Sequence, residues 1–321
     1  MRAVCFYIMT YLFQGIICGE GSRNSLIISM PKNVHPLPDS HLCTSYVIPN
    51  KTVNYITSFK CLADARKIHH VMLYRCQEPG FAAPSNQASV WNCEYLVNNG
   101  YPNASICKGE SALTYVWSEG TSDETMPPGV GYMLGGSSGL PYLVMQVHYN
   151  VKPGDNDVEA GVVVGVFVGD SVLLKPAALL HTNEMEGLIP ARDVTTLEGH
   201  CLIGDTMTLN VFSFLGHTHK LGIEVSGWKV DRSTGSWTLI GKMDPRRQSG
   251  FFAASETGIV MNRGDVLVRR CMYHNTLFHD VRIGLTNTDE MCAFWIRYYT
   301  DDYIQNRSQI VCQSQSLASL A

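Results

Sequence analysis

Apolar and polar residues alternate along most of this chain with a period of two, and runs at helical spacing are almost absent. In Tyr142-Leu-Val-Met-Gln-Val-His-Tyr149 the alternation puts Val144, Gln146 and His148 on one face of a strand. Residues 161–168, 209–215, 236–241 and 291–299 read as further strands, with Gly, Pro and Asn punctuating the gaps. Short strands without intervening helices predict an all-β fold of antiparallel sandwiches rather than a βαβ sheet. At 321 residues the chain exceeds the size at which one hydrophobic core keeps growing. Two domains are therefore expected, residues 21–172 and 173–313, with 173–177 as the crossing and 314–321 as a loose tail.

The N-terminus changes the picture of compartment. Arg2 followed by an apolar run over residues 3–17 reads as a secretory signal ending near residue 20. No later run approaches the roughly 20 apolar residues a spanning helix needs, so no membrane anchor is expected. Of 11 cysteines, Cys5 and Cys18 fall in the signal and nine remain. In the secretory lumen or outside the cell most of those should pair, leaving one over. Asn50, Asn103 and Asn306 begin glycosylation sequons, which have meaning only there. Charged residues are 16% and the net charge is −4, with no basic stripe, which argues against nucleic acid or an anionic membrane as a partner.

Histidine spacing supplies the candidate chemistry. His217 and His219 are two apart, so on a strand both rings leave one face, a chelating arrangement. His69 and His70 are adjacent and point to opposite faces unless the strand is distorted there. Each of these residues, like His148, also has a bland reading as a core or surface histidine. Met291, ordinarily core packing, opens a strand that puts Ala293, Trp295 and Arg297 on its own face, with Cys292 on the other. Imidazole suits Zn, Cu and Fe, whereas a thioether points to a soft ion such as Cu(I). His35, His41, His181, His200, His274 and His279 form no spaced set and read as surface or structural. The chain lacks a G-x-S-x-G elbow, a P-loop, a G-x-G-x-x-G fingerprint and an H-E-x-x-H motif, which removes the commonest hydrolase, kinase and dehydrogenase readings.

Taken in order, residues 68–73 (Ile-His-His-Val-Met-Leu), 128–136, 146–149 (Gln-Val-His-Tyr), 217–222 (His-Thr-His-Lys-Leu-Gly), 237–241 (Trp-Thr-Leu-Ile-Gly) and 289–292 (Asp-Glu-Met-Cys) resemble the copper- and ascorbate-dependent monooxygenases. The Trp237–Gly241 run favours their peptidylglycine-hydroxylating branch over the dopamine-hydroxylating one. The resemblance implies two jelly-roll-like sandwiches with one copper each, facing across a cleft. One copper, on His69, His70 and His148 with Gln146 nearby, would pass an electron. The other, on His217, His219 and Met291, is where O₂ and substrate would meet. It also implies the disulfides Cys43–Cys93, Cys76–Cys107, Cys201–Cys312 and Cys271–Cys292. A fifth bridge of the family has no counterpart, since Ala160 stands where one of its cysteines would be, and Cys61 is left over.

The implied activity is hydroxylation of the α-carbon of a C-terminal glycine in a peptide, the first step of C-terminal amidation, with ascorbate as electron donor and O₂ as co-substrate. No lyase domain is expected after Cys312, so a separate hydroxyglycine lyase would act on the product. Three departures bear on the substrate. Leu215 stands where the family has an Arg that meets the peptide's terminal carboxylate, and Ala293 and Trp295 where it has a substrate-facing Asn and Tyr. Arg297, on the face of Ala293 and Trp295, either takes over that carboxylate or is solvated beyond the cleft. The alternatives are the same copper chemistry on an aromatic amine or acyl-glycine, and a secreted copper-binding protein without catalysis.

Overall fold

The structure is a computed structural model that describes residues 23–48, 53–82, 89–93, 100–152, 158–168, 174–184, 186–204, 208–246, 250–284, 288–301 and 309–313. The expected signal, the sequons at Asn50 and Asn306, the 172/173 domain boundary and the tail lie outside these residues. Among them, no helix is long and apolar enough to cross a membrane. The chain divides into two compact units, Met1–Pro176 and Ala177–Ala321, and both are built from strands.

The strands of the first unit are β1 (Arg23–Ser29), β2 (His41–Val47), β3 (Asn54–Ala63), β4 (Ile68–Pro79), β5 (Val90–Asn92), β6 (Cys107–Ser118), β7 (Glu124–Thr125), β8 (Val130–Leu134), β9 (Tyr142–Tyr149) and β10 (Ala160–Val168). They form two antiparallel layers, β1-β10-β3-β8 with β7 on β3, and β5-β2-β9-β4-β6. Phe59 of β3 stacks on Tyr115 of β6 at 4.8 Å, tying one layer to the other. Arg75 of β4 does the same by polar contact. Its guanidinium is buried, lies over the Tyr132 ring at 4.8 Å, and donates to the Met133 carbonyl at 2.7 Å and Thr114 Oγ1 at 3.2 Å. A charge kept out of water is tolerated only when its donors are used in this way.

In β9 the period-two pattern separates the faces. Val144 packs into a small cluster with Cys43, Cys76, Trp91 and Cys93. Leu143, Met145 and Val147 point the other way and are fully buried. His148 therefore lies on the face away from the main core, at the end of the Val144 row.

The second unit comprises β11 (Lys175–Glu184, entering at the boundary), β12 (Leu188–Ile189), β13 (Val194–Leu202), β14 (Leu209–His217), β15 (Gly222–Asp231), β16 (Ser236–Met243), β17 (Phe252–Ala253), β18 (Ile259–Met261), β19 (Val266–His274), β20 (Val281–Arg282), β21 (Cys292–Tyr299) and β22 (Gln309–Gln313). One layer runs β11-β21-β14, with β17 and β18 on β14 and β22 parallel to β11; the other runs β13-β19-β15-β16. Leu180, Phe294, Ile296 and Tyr298 from the first layer meet Val225, Leu267, Cys271 and Tyr273 from the second in one buried cluster. His181, Ala293, Trp295 and Arg297 alternate with these residues and take the opposite face. Both units are thus sandwiches of antiparallel sheets, as the strand pattern predicts.

Four disulfides form, Cys43–Cys93, Cys76–Cys107, Cys201–Cys312 and Cys271–Cys292, the pairs implied by the resemblance. The last two each join the two layers of the second unit, where a bridge of this kind contributes about 2–5 kcal/mol. Cys61 is free and half-buried, and burial pushes its thiol up to about 12. Asn103 is exposed, and its Oδ1 accepts from Asn92 Nδ2 at 2.9 Å, which leaves the amide nitrogen that glycosylation would use.

A thiolate is the form that alkylates, so Cys61 should react slowly with iodoacetamide at pH 8 in the native protein and readily after unfolding. Peptide mapping is expected to find Cys61 modified and the other eight described cysteines in four pairs. Rapid native alkylation, or Cys61 recovered in a disulfide, would contradict this.

Candidate metal centres

The first cluster is set by the pairing of three neighbouring strands. β9 lies between β2 and β4, and His148 stands opposite both His41 and His70. Strands in a sheet are about 4.8 Å apart, so the three rings form a row across one face. The ladder between β4 and β9 shifts between Ile68 and His70, and this bulge frees His69 from strict alternation. His69 consequently turns toward the same group, with its Nδ1 3.2 Å from His148 Nδ1. Adjacent histidines require such a distortion if they are to share one ion.

Four imidazoles are thereby gathered. Ring centroids are 4.8 Å apart for His70 and His148, 5.0 Å for His69 and His148, and 3.9 Å for the stacked His41 and His148. Donor atoms of His41, His70 and His148 all lie within 4.8 Å of one another. His41 was read from the sequence as surface or structural, and the structure excludes the first: it is buried inside the cluster. Its nearness to His148 depends on the β2–β9 register, which no spacing in the chain reveals. Burial is the largest influence on the His41 ring and lowers its pKa, opposed by the Asp39 backbone and carboxylate and reinforced by His69. The Asp39 carboxylate also stands 3.7 Å from His148 Nε2. Gln146, expected near this cluster, is fully buried two residues before His148, and its Nε2 lies 3.7 Å from Cys93 Sγ.

The second cluster forms where β14 ends. His217 is its last residue and pairs with Ala293 of β21, and a tight turn follows. A Cβ on Gly222 would collide with Thr218, so only glycine lets the chain close there. His219 lies on that turn, its ring 5.4 Å from that of His217 and nearly perpendicular to it. The carboxylate of Glu290, itself buried, accepts from the His219 and Leu221 backbone N–H groups at 2.8 and 2.7 Å. His219 Nδ1 lies 2.8 Å from the Asp289 carbonyl. A carbonyl can only accept, so Nδ1 carries the proton and, in the neutral ring, Nε2 has the lone pair that suits a metal-ligating imidazole. Met291 follows directly, half-buried, its own carbonyl accepting from Tyr273 Oη at 2.6 Å. The holding role of Glu290 was not read from the sequence, although it lies in the Asp289–Cys292 segment that carried the resemblance.

His217 is held well below the usual histidine range, at about 4, first by burial and then by His219. His217 itself is exposed, with the His219 ring 5.4 Å and the Trp295 ring 6.4 Å from its own. The lowered pKa favours the neutral ring, the form that binds metal.

The face around this cluster carries Leu215, Ala293 and Trp295 at the positions where the resemblance implies Arg, Asn and Tyr. Register places Asn183, Ala293 and His217 in one row, His181, Trp295 and Leu215 in the next, and Leu179, Arg297 and Ser213 in a third. Leu215 and Ala293 are buried, and His181 stacks on Trp295 at 4.5 Å with the rings nearly parallel. Arg297 shares this face, as alternation required, and the expectation that it is solvated does not hold. It is only 2% exposed and its guanidinium lies 3.6 Å over the Phe251 ring, covered rather than open to water. Strand alternation gives a face, not what lies over it. A cavity of about 510 Å³ opens on this unit beside Phe214, Leu239, Met243 and Phe252, on the side of β14 opposite His217, and holds none of these groups.

Comparison with known proteins matches both units. A family described as "Copper type II ascorbate-dependent monooxygenase, N-terminal domain" matches residues 27–156, and its C-terminal domain counterpart matches residues 176–320. Over 288 residues the chain is 30% identical to peptidyl-glycine alpha-amidating monooxygenase A of Xenopus laevis, covering 89% of this chain and 29% of that one. The rat peptidylglycine alpha-amidating monooxygenase is 29% identical, covering 88% and 27%. Dopamine beta-hydroxylase of the dog is 24% identical, covering 81% and 45%. The chain spans about three-tenths of the length of the two amidating relatives.

Two outcomes follow from the second unit. Glu290→Gln leaves one acceptor oxygen for two backbone donors and should cost about 2 kcal/mol, lowering the melting temperature by several degrees. Calorimetry showing an unchanged midpoint would mean that the carboxylate does not hold the turn.

The second concerns acid. Burial first, and Arg269 next, hold His181 at about 4, against about 6.5 when unfolded. Its neutral state favours folding fully above pH 6.5, and that contribution is lost as pH falls toward 4, about 2–3 kcal/mol in all. His181→Phe should flatten the stability profile between pH 7 and 4. An equally steep profile would contradict this.

Proposed function

The chain belongs to the copper type II, ascorbate-dependent monooxygenases, and on that premise we propose that it hydroxylates the α-carbon of a C-terminal glycine in a peptide, in the secretory lumen or outside the cell. The observation that carries the copper chemistry is the pair of imidazole clusters, one per unit, each on a face turned from its core. In the first unit His69 Nδ1 stands 3.2 Å from His148 Nδ1, and donor atoms of His41, His70 and His148 lie within 4.8 Å of one another. In the second, His219 presents Nε2 and His217 stands beside it, with Met291 proposed as the third ligand. When bound, copper supplies one-electron redox chemistry that ascorbate and O₂ can use.

The residues themselves supply position and tautomer. The Asp289 carbonyl holds the proton on His219 Nδ1, and Glu290 fixes the turn that carries the ring. Trp295 and Leu215 offer an apolar wall beside His217, which suits an aliphatic C–H bond and keeps water from it. Identity to the amidating relatives over nearly nine-tenths of the chain supports the peptide substrate. The disulfides support an oxidising compartment. A hydroxyglycine lyase is the partner this reading calls for.

A second reading keeps the copper and changes the substrate. It is favoured by the buried Leu215 and Ala293, the His181–Trp295 stack and the covered Arg297, which together leave this face poor in cationic donors. Oxygen uptake by the copper-loaded protein with ascorbate separates the two. A glycine-extended peptide should stimulate uptake and yield hydroxyglycine, with two electrons from ascorbate per O₂. Stimulation by an aromatic amine but not by the peptide would favour the second reading, and no stimulation by either would remove both.

A further inference from the structure

We propose that His41 is a copper ligand of the first unit, so that this site is built from four imidazoles and not three. The inference rests on the copper-binding part of the proposed function and is independent of its substrate.

Three observations support it. First, His41, His148 and His70 occupy equivalent positions on three adjacent strands, so the backbone register alone sets the three side chains side by side. Their donor nitrogens fall within 4.8 Å of one another. His69 joins the row only through the bulge, and it is the most exposed ring of the four.

Second, Asp39 serves His41 and His148 alike. Asp39 adopts a left-handed backbone conformation, φ 58°, which is uncommon outside glycine but tolerated by Asp. Its backbone N–H is bonded to the Tyr149 carbonyl at 3.0 Å, which fixes the turn against β9. From there its carboxylate faces His148 Nε2 at 3.7 Å, and its backbone carbonyl accepts from the His41 ring. Metal-ligating histidines characteristically have one nitrogen held by a carboxylate or carbonyl so that the other faces the ion. Both the His148 and the His41 rings face Asp39, the carboxylate standing 3.7 Å from His148 Nε2, outside hydrogen-bond distance.

Third, His41 is 6% exposed. An imidazole drawn out of water beside three others carries a desolvation cost that a metal–nitrogen bond offsets. The 3.9 Å stack on His148 is the competing explanation for its position. Stacking needs only a flat ring, whereas ligation needs the nitrogen, and a substitution distinguishes them. Four nitrogen ligands suit the tetragonal preference of Cu(II), so the site would hold the oxidised ion as well as the reduced one.

The experiment uses the full chain carrying His217→Ala and His219→Ala, so that only the first site takes copper. Cu(II) is titrated alone, affinity is measured by competition, and coupled imidazole nitrogens are counted by pulsed electron paramagnetic resonance. His41→Phe keeps the stacked ring and removes the nitrogen. It should weaken Cu(II) binding at least tenfold and remove one coupled imidazole, with an unchanged circular dichroism spectrum. His69→Ala should still bind one copper, now through three imidazoles. Unchanged affinity and nitrogen count in His41→Phe would overturn the proposal and leave His41 a stacking residue. Should His41→Phe not fold, His69→Ala decides: three coupled imidazoles support the proposal, and two or fewer, or lost copper, overturn it. If the parent protein takes no copper at all, the copper-binding reading of this unit fails as well.

Discussion

The register of the sheet ladders is the constraint on which both clusters depend. In β9, the position of His148 opposite His41 and His70 is fixed by a row of backbone hydrogen bonds, not by any preference of the rings for one another. A slip of one residue would turn every side chain of β9 to the other face, sending Leu143, Met145 and Val147 out of the core along with it. The core therefore enforces the cluster. In the second unit, the pairing of His217 with Ala293 and of Leu215 with Trp295 is locked in the same way by Phe294, Ile296 and Tyr298 on the reverse face of β21.

Register supplies proximity, and neighbouring polar groups supply tautomer. The two units use different devices. Around the first, Asp39 acts from a turn in the left-handed conformation, with its carboxylate toward one ring and its carbonyl toward another. Around the second, the Asp289 carbonyl and the Glu290 carboxylate act on consecutive groups of one turn. The buried Glu290 is stabilised by two backbone donors, without which its charge would be costly to bury. Cys271–Cys292 then ties the start of β21 to β19, so the segment carrying Asp289, Glu290 and Met291 is anchored close to its C-terminal end. The proposed thioether ligand thus lies on one of the most constrained stretches of its unit.

Much of this was legible in the chain because period two is a local property. The strands, the shared face of Ala293, Trp295 and Arg297, and the opposite orientation of Cys292 needed no knowledge of partners. What failed needed partners. His41 looked unspaced because its neighbour is 107 residues on, across a ladder. The role of Glu290 depends on a turn contributed by β14. Arg297 was assigned the correct face and the wrong surroundings, since Phe251 reaches it from another segment. The distortion that adjacent histidines require was foreseen as a condition, and the bulge between Ile68 and His70 meets it.

The central claim is that two chemically different copper sites are built on these two faces, one from imidazoles alone and one that includes a thioether. X-ray absorption at the copper edge, on the fully loaded protein reduced with ascorbate, tests it most directly. The account predicts imidazole scattering from both coppers together with one copper–sulfur shell at half occupancy, lost in Met291→Ala. Absence of any sulfur shell in the wild-type protein, or one that persists in Met291→Ala, would contradict it.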